Sequence, residues 1–250
     1  MKRLHSIVRR LGIVFHGQKI WISELTGIFF ITFLSLLFLS ISMQILTNEH
    51  HIYNLTRKIS AGKSAAIIRN NFLEELRERT AITSLLRLIA RKKLTQKTLL
   101  ELSDIVYTNS TQYGYDPLLL LAVIEVESVF ETNALGKYRS GSLSGALGLM
   151  QLKYATAQEV ASQLSMDSLT EADLFKPEIN VVLGVAYLTT MISRFRSFKL
   201  GLLAYNQGPG VIKKKLSENE PLSVDYYNKV LRSYYGLKKK SLYEAALHEQ

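Results

Sequence analysis

The sequence predicts an all-α protein, a mostly helical domain preceded by a transmembrane helix and a helical stalk. Three observations predict it. Apolar residues recur at intervals of three and four along much of the chain, as in Ile52, Leu55 and Ile59 or Leu85, Leu86 and Ile89, which is the spacing of one helix face. Beyond the turn at Tyr113-Gly114-Tyr115-Asp116 no strand-like alternation or hairpin signal of comparable strength is visible. The run LTGIFFITFLSLLFLSISMQIL, Leu25 to Leu46, is free of charge and, at about 1.5 Å per residue, matches a hydrocarbon core of about 30 Å.

The 250 residues carry 31 Lys and Arg against 21 Asp and Glu, a formal net charge of +10. That excess favours an anionic partner: nucleic acid, a lipid head-group surface or an acidic polymer. No motif of a nucleic-acid reader is visible and the basic residues are scattered as well as clustered, so no nucleic acid is expected and the membrane and polymer readings stand. The absence of cysteine excludes disulfides, thiolate metal sites and a lipid-modified cysteine within these residues.

Residues 1–24 carry Lys2, Arg3, Arg9, Arg10 and Lys19 and no acid before Glu24. This basic flank is expected to stay in the cytoplasm, residues 25–46 to span the membrane once, and everything after Leu46 to be exported. A cleaved export signal is the alternative, because Ser40-Ile41-Ser42 loosely resembles a small-residue cleavage site. Residues 47–94 read as the helical stalk. Its cations, among them Arg57, Lys58, Arg87, Arg91, Lys92 and Lys93, either rest on an anionic surface or form a solvated helical face. His50-His51 lacks a second ligand pair at a metal-binding spacing and reads as a surface feature.

The last segment, 95–250, reads as one domain. Thr95 can cap a helix through Leu99, Leu102, Ile105 and Val106, and Gly114 suits the turn that ends it. Asp116 is a good N-cap and Pro117 suits the first helical position, so a second helix carries Leu118 to Ile124 and then Glu125-Val126-Glu127-Ser128. An acid there is costly. Burying an ionised carboxylate without a partner favours retention of its proton, the state a general acid needs near neutral pH. Helical spacing sets Glu127 beside Leu120, Val123 and Ile124, and Glu125 beside Leu118, Leu121 and Ala122. Both faces are apolar, so spacing alone does not choose between the two acids.

The segment from Gly136 to Gly148 is rich in Gly and Ser and reads as a loop able to bring backbone groups close to a ligand, with an apolar exit that packs. A helix over Thr156 to Leu164, a turn over Asp173 to Asn180 and a longer helix over Val181 to Phe195 follow. Leu200 to Leu203 then leads into Ala204-Tyr205-Asn206-Gln207-Gly208-Pro209-Gly210. An aromatic and an amide ahead of Gly-Pro-Gly either present Tyr205 and Asn206 into a groove or mark an ordinary helix stop.

Taken together, these residues carry a resemblance. Glu127-Ser128, then Ser142-x-x-Gly145-Ala146-x-Gly148-Leu149-Met150-Gln151, then Pro177-Glu178-x-Asn180 with Gly184 and Tyr187-Leu188, then Ala204 to Gly210, resemble the ordered motifs of the lytic transglycosylase (SLT) domain. The similarity covers roughly Leu99 to Gly236, and residues 1–94 carry none of it. It implies a lysozyme-like, mostly α-helical fold with a groove for a glycan strand. It also implies that Glu127, the glutamate followed directly by serine, is the catalytic acid and Glu125 a structural or surface acid. By the same transfer Ser142 and Gln151 are similar to groove residues that contact the sugar, Tyr205 and Asn206 to the active-site aromatic and amide, and Tyr226, with Tyr227 adjacent, to a late tyrosine. Two departures stand out: the extra residues Gly136 to Gly141 lengthen the loop over the groove, and Leu152-Lys153-Tyr154 lacks the proline common after Gln151.

The reaction implied by the resemblance is cleavage of the β-1,4 bond between N-acetylmuramic acid and N-acetylglucosamine in peptidoglycan. One carboxylate suffices, because the muramic acid C6 hydroxyl is the nucleophile and a 1,6-anhydro end is left. The alternatives are a membrane-anchored peptidoglycan-binding scaffold without activity, or a lysozyme-type hydrolase of the same glycan. The expected place is the bacterial inner membrane, crossed once, with the enzyme in the periplasm or cell-wall space. The stalk is compatible with recruitment of envelope machinery, and nothing in the motifs calls for a metal or organic cofactor.

Overall fold

The computed structural model describes residues 12–15, 18–166 and 168–248, with side chains described from 27 to 242 except 167. The basic residues Lys2, Arg3, Arg9 and Arg10 lie outside the described residues. The chain forms two compact units, Met1–Asn71 and Phe72–Gln250.

In the first unit β1 (Gly12–Phe15) pairs antiparallel with β2 (Gln18–Trp21), Ile13 opposite Ile20. Helix α1, Ile22–Ala90, follows without a break and contributes to both units. Among the described residues it is the one helix long and apolar enough to cross a membrane. Its apolar residues there face outward, Phe29 and Phe38 being 73% and 72% exposed, as a surface made for lipid requires. Two hydroxyls within this stretch bond back to the helix: Thr32 donates to the Phe29 carbonyl at 2.9 Å and Ser35 to that of Ile31 at 2.9 Å.

The second unit is built of helices around one core. The last turns of α1 bury Ile82, Leu85, Leu86 and Ala90 in it, so the compact unit takes in residues ahead of Thr95, where the sequence spacing starts the domain. Polar ties join α1 to α2 (Gln96–Tyr113): Thr83 donates to Ser103 Oγ at 2.7 Å, and Arg79 pairs with Asp104 while lying over the Tyr107 ring. Thr95 caps α2 by accepting from the Thr98 amide at 3.1 Å, and Gly114 ends it at φ 69°. Helix α3 (Pro117–Ser128) is opened by the Asp116 carboxylate, which accepts the Leu118 amide at 2.8 Å. Every residue from Leu119 to Ile124 is buried, which explains why apolar spacing could not assign its faces.

The segment read as a loop is instead a small antiparallel sheet of β3 (Leu135–Lys137), β4 (Leu143–Leu147) and β5 (Leu152–Lys153). Its strands are two to five residues long, β3 and β4 each include a glycine, and the register between these two is irregular, so no side-chain alternation announces them. Of the added residues Gly136 and Lys137 belong to β3, and Tyr138 to Gly141 form the hairpin turn, closed by the Tyr138 amide on the Ser142 carbonyl at 2.8 Å. Helix α4 (Tyr154–Gln163) and a short 3-10 turn, Glu171–Phe175, follow. Helix α5 runs Pro177–Phe195, four residues earlier than the sequence suggests, because Pro177 serves as its first residue. Helices α6 (Phe198–Gln207), α7 (Pro209–Ser217) and α8 (Asp225–His248) complete the unit, with α8 packed against α3.

Asn180 joins sheet and helices. It is fully buried, accepts the Met150 amide at 2.7 Å and donates to the carbonyls of Leu147 at 2.9 Å and Leu174 at 2.8 Å. Gly148 lies against it at φ 73°, where an added Cβ would come within 2.5 Å of Asn180 Nδ2.

Candidate active site

A cleft of about 680 Å³ opens between the end of α3, the three-stranded sheet and the end of α6. Glu127 lines it from the last turn of α3, just before Val129 takes the left-handed conformation that ends the helix. Its Oε1 accepts the Tyr226 hydroxyl from α8 at 2.5 Å, its one side-chain hydrogen bond among the described residues. Burial pushes the Glu127 carboxyl up from its ordinary 4.5 to about 7, and the Tyr226 bond, which favours the charged form, opposes part of that rise. An acid in this state is half protonated near neutrality and can both give and take a proton. Tyr226 is itself buried and its hydroxyl is held well above the ordinary range, by burial first and then by the Glu127 charge, so it stays a donor.

Glu125, the other acid of the pair, does not line the cleft. Its Oε2 accepts the Ser233 hydroxyl from α8 at 2.5 Å. The two glutamates that spacing left equivalent therefore have separate environments.

Gln151 sits where the chain leaves the Gly148 turn, at φ 50°, and lines the cleft. Both of its amide hydrogens are used on backbone, on the Gly148 carbonyl at 2.9 Å and that of Ala134 at 3.2 Å. Its Oε1 lies against Gly136, where an added Cβ would approach to 2.7 Å, so the strand at that point must be bare. The α6 helix end supplies Tyr205 and Asn206. Tyr205 is buried, donates to the Met150 carbonyl at 2.7 Å and tilts against Tyr187 with ring centroids 5.4 Å apart. Burial raises its hydroxyl well above the usual range, with the Glu127 charge adding to the effect. Asn206 is exposed in the cleft with its amide open to solvent and ligand.

The structure thus brings together Glu127, Gln151, Tyr205 and Asn206 in one cleft, with Tyr226 behind the acid. It does not bring Ser142 there. Ser142 is exposed at the hairpin turn, sharing a 2.8 Å hydrogen bond with Ser140, while Ser144 lines the cleft from β4. Tyr187, Lys137 and Glu131 also line it and were not singled out by sequence reasoning. Tyr187 could have been found, since it belongs to one of the recognised motif blocks; Lys137 and Glu131 carry no such signal.

A family model described as Transglycosylase SLT domain matches residues 104–228. The chain is 28% identical over 131 residues to a membrane-bound lytic murein transglycosylase E of Buchnera aphidicola subsp. Baizongia pistaciae, covering 48% of this chain and 59% of that one. It is 31% identical over 137 residues to a membrane-bound lytic murein transglycosylase C of Edwardsiella ictaluri, covering 51% of this chain and 36% of that one. Among solved structures, the 70 kDa soluble lytic transglycosylase of Escherichia coli is similar at 23% identity and a TM-score of 0.46, over 56% of this chain and 24% of that one. The matched part of the chain spans less than two thirds of each of these relatives.

Proposed function

The chain belongs to the transglycosylase SLT domain family, and from that premise we propose that it is a membrane-anchored lytic transglycosylase of peptidoglycan. The observation that carries this is the Glu127 carboxyl, desolvated to a pKa of about 7 in a cleft lined by Gln151, Tyr205 and Asn206. Protonated Glu127 donates its proton to the glycosidic oxygen between N-acetylmuramic acid and N-acetylglucosamine as the C1–O bond breaks. The resulting carboxylate accepts the proton of the muramic acid C6 hydroxyl as that oxygen bonds to C1. The products are a free 4-hydroxyl and a 1,6-anhydro end, no water is consumed, and Glu127 ends the cycle protonated. Tyr226 holds the acid, and Asn206 and the Gln151 Oε1 orient the sugar.

A second reading is favoured by one observation: Glu131, exposed, lines the same cleft. Ordinary glycosidases use two carboxyl groups roughly 5 to 10 Å apart, the second to activate water or attack the sugar. In that case the protein is a lysozyme-type hydrolase. Digestion of purified peptidoglycan by the wild-type, Glu127→Gln and Glu131→Gln chains tests both. The transglycosylase reading expects soluble fragments from the wild type and from Glu131→Gln and none from Glu127→Gln.

The apolar part of α1 anchors the protein in the cytoplasmic membrane with residues 47–250 in the periplasm. Residues 47–94 serve as the stalk and a surface for envelope machinery, with its last turns, through Ile82, Leu85, Leu86 and Ala90, also packed in the core of the unit in which 95–250 carry the reaction. Two arginines at the middle of the span, Leu36→Arg with Leu37→Arg, cost several kcal/mol of insertion. They should move the protein out of the membrane fraction. A pull-down with residues 47–94 that recovers nothing specific would reduce the stalk to a spacer.

A further inference from the structure

Helix α8 presents three hydroxyls to α3 and its cap, and each donates to a different carboxylate. Tyr226 donates to Glu127 Oε1 at 2.5 Å, Ser233 to Glu125 Oε2 at 2.5 Å and Tyr234 to Asp116 Oδ2 at 2.7 Å. Residues seven and eight apart lie on one helix face, about two turns along it. Val230 and Leu237 on the same face are buried in the core. The order is reversed between partners, the start of α8 meeting the end of α3 and Tyr234 reaching back to the cap, so the helices run antiparallel.

Apolar helix faces interlock in more than one register and tolerate small slides, whereas directional bonds to particular carboxylates do not. A stretch of two helical turns is stiff, so holding Ser233 and Tyr234 also fixes where the Tyr226 hydroxyl falls. Glu127 has no other side-chain hydrogen bond among the described residues, so its orientation depends on that placement. Asp116 serves twice, Oδ1 capping α3 and Oδ2 accepting Tyr234. Neither Glu125 nor Ser233 lines the cleft, so neither has a direct part in handling the glycan.

We propose that Ser233, through Glu125, and Tyr234, through Asp116, are positioning residues that hold α8 in the register at which Tyr226 meets Glu127. The inference rests on the assignment of Glu127 as the acid and concerns what orients it. The other ionisable groups around Glu127 are Tyr205 on α6, with Tyr187, Glu131, Lys137, Tyr138 and Lys153 in the same cleft.

The test uses the full chain in detergent, with Ser233→Ala, Tyr234→Phe, Ser233→Thr and Tyr226→Phe. The Glu127 carboxyl is titrated by carbon-13 NMR without any glycan, so this readout stands whether or not the protein cleaves peptidoglycan. Loss of register weakens the Tyr226 bond, which favours the charged carboxylate. Ser233→Ala and Tyr234→Phe should therefore move the Glu127 titration upward, and Ser233→Thr should restore it. In Ser233→Ala/Tyr226→Phe the shift should match that of Tyr226→Phe alone, because the same bond is lost. Turnover, where present, should fall roughly two- to tenfold in Ser233→Ala through kcat with KM unchanged. If Ser233→Ala does not fold, Tyr234→Phe, which removes one hydroxyl near the surface, carries the test alone. A titration that stays in place in both variants, or shifts that add to that of Tyr226→Phe, would overturn the proposal. Absence of glycan cleavage by the wild type, with the titration shifts present, would instead count against the proposed function.

Discussion

Tyr226 and Glu127, 99 residues apart in sequence, meet in a 2.5 Å hydrogen bond in which the phenol donates to Oε1. The bond favours the ionised acid while burial favours the protonated one, and burial wins, leaving the carboxyl at about 7. Tyr226→Phe removes the opposing contribution and the orienting contact together. The Glu127 titration should move above 7 and the maximal rate should fall by on the order of tenfold, read from pH–rate profiles of the two proteins.

With Glu127 as the proposed acid, a carboxyl at about 7 makes a prediction for the pH response of wild-type activity. The competent form is protonated, so the rate should be full on the acid side and fall as pH rises through about 7. Between pH 6 and pH 8 the protonated fraction drops roughly tenfold, and initial rates on a soluble glycan should follow it.

Stability should show the same group with a definite sign. Folding raises the Glu127 pKa from its ordinary 4.5 to about 7, so the folded state binds the extra proton. Its contribution is fully present below pH 4.5 and is lost as pH rises through 7. The loss builds up between pH 4.5 and 7 to roughly 3 kcal/mol and is level above that. Glu127→Gln, neutral at every pH, should therefore melt higher than wild type at pH 8 and close to it at pH 4.5, as read by calorimetry.

Asn180 makes a separate prediction about the frame. Asn180→Leu would leave the Met150 amide and the carbonyls of Leu147 and Leu174 buried without their partner. Each orphaned group costs about 1–3 kcal/mol, so a loss on the order of 3–6 kcal/mol is expected in denaturant unfolding, with partial relaxation bringing it toward the lower figure. Because Met150 precedes Gln151, residual activity should show a raised KM.

Much of the helical frame was legible from spacing and caps: Thr95, Asp116 and Pro117 start helices where expected. The choice between Glu125 and Glu127 was not, because α3 is buried around its whole circumference from Leu119 to Ile124 and an amphipathic phase does not exist there. Only the surrounding motifs separated them. The sheet was hidden because backbone pairing, not side-chain alternation, builds β3 to β5. Ser142, which the motif resemblance sets among the groove residues, is exposed at the hairpin turn, and Ser144 is the serine of β4 that lines the cleft. Tyr226 and Tyr227 diverge through the phase of α8, which begins at Asp225. Tyr226 turns toward Glu127, whereas Tyr227 packs edge-on to Phe198 at 6.3 Å with Lys199 over its ring. Asn180 lay in a stretch read as a turn, and its burial follows only once α5 is known to start at Pro177.

The most direct measurement is the mass of the glycan ends that the chain produces from purified peptidoglycan. Intramolecular attack by the C6 hydroxyl consumes no water, so the wild type should form muramic acid ends one water lighter than reducing ends, and Glu127→Gln should not. Reducing ends from the wild type, or anhydro ends persisting in Glu127→Gln at the wild-type rate, would contradict it.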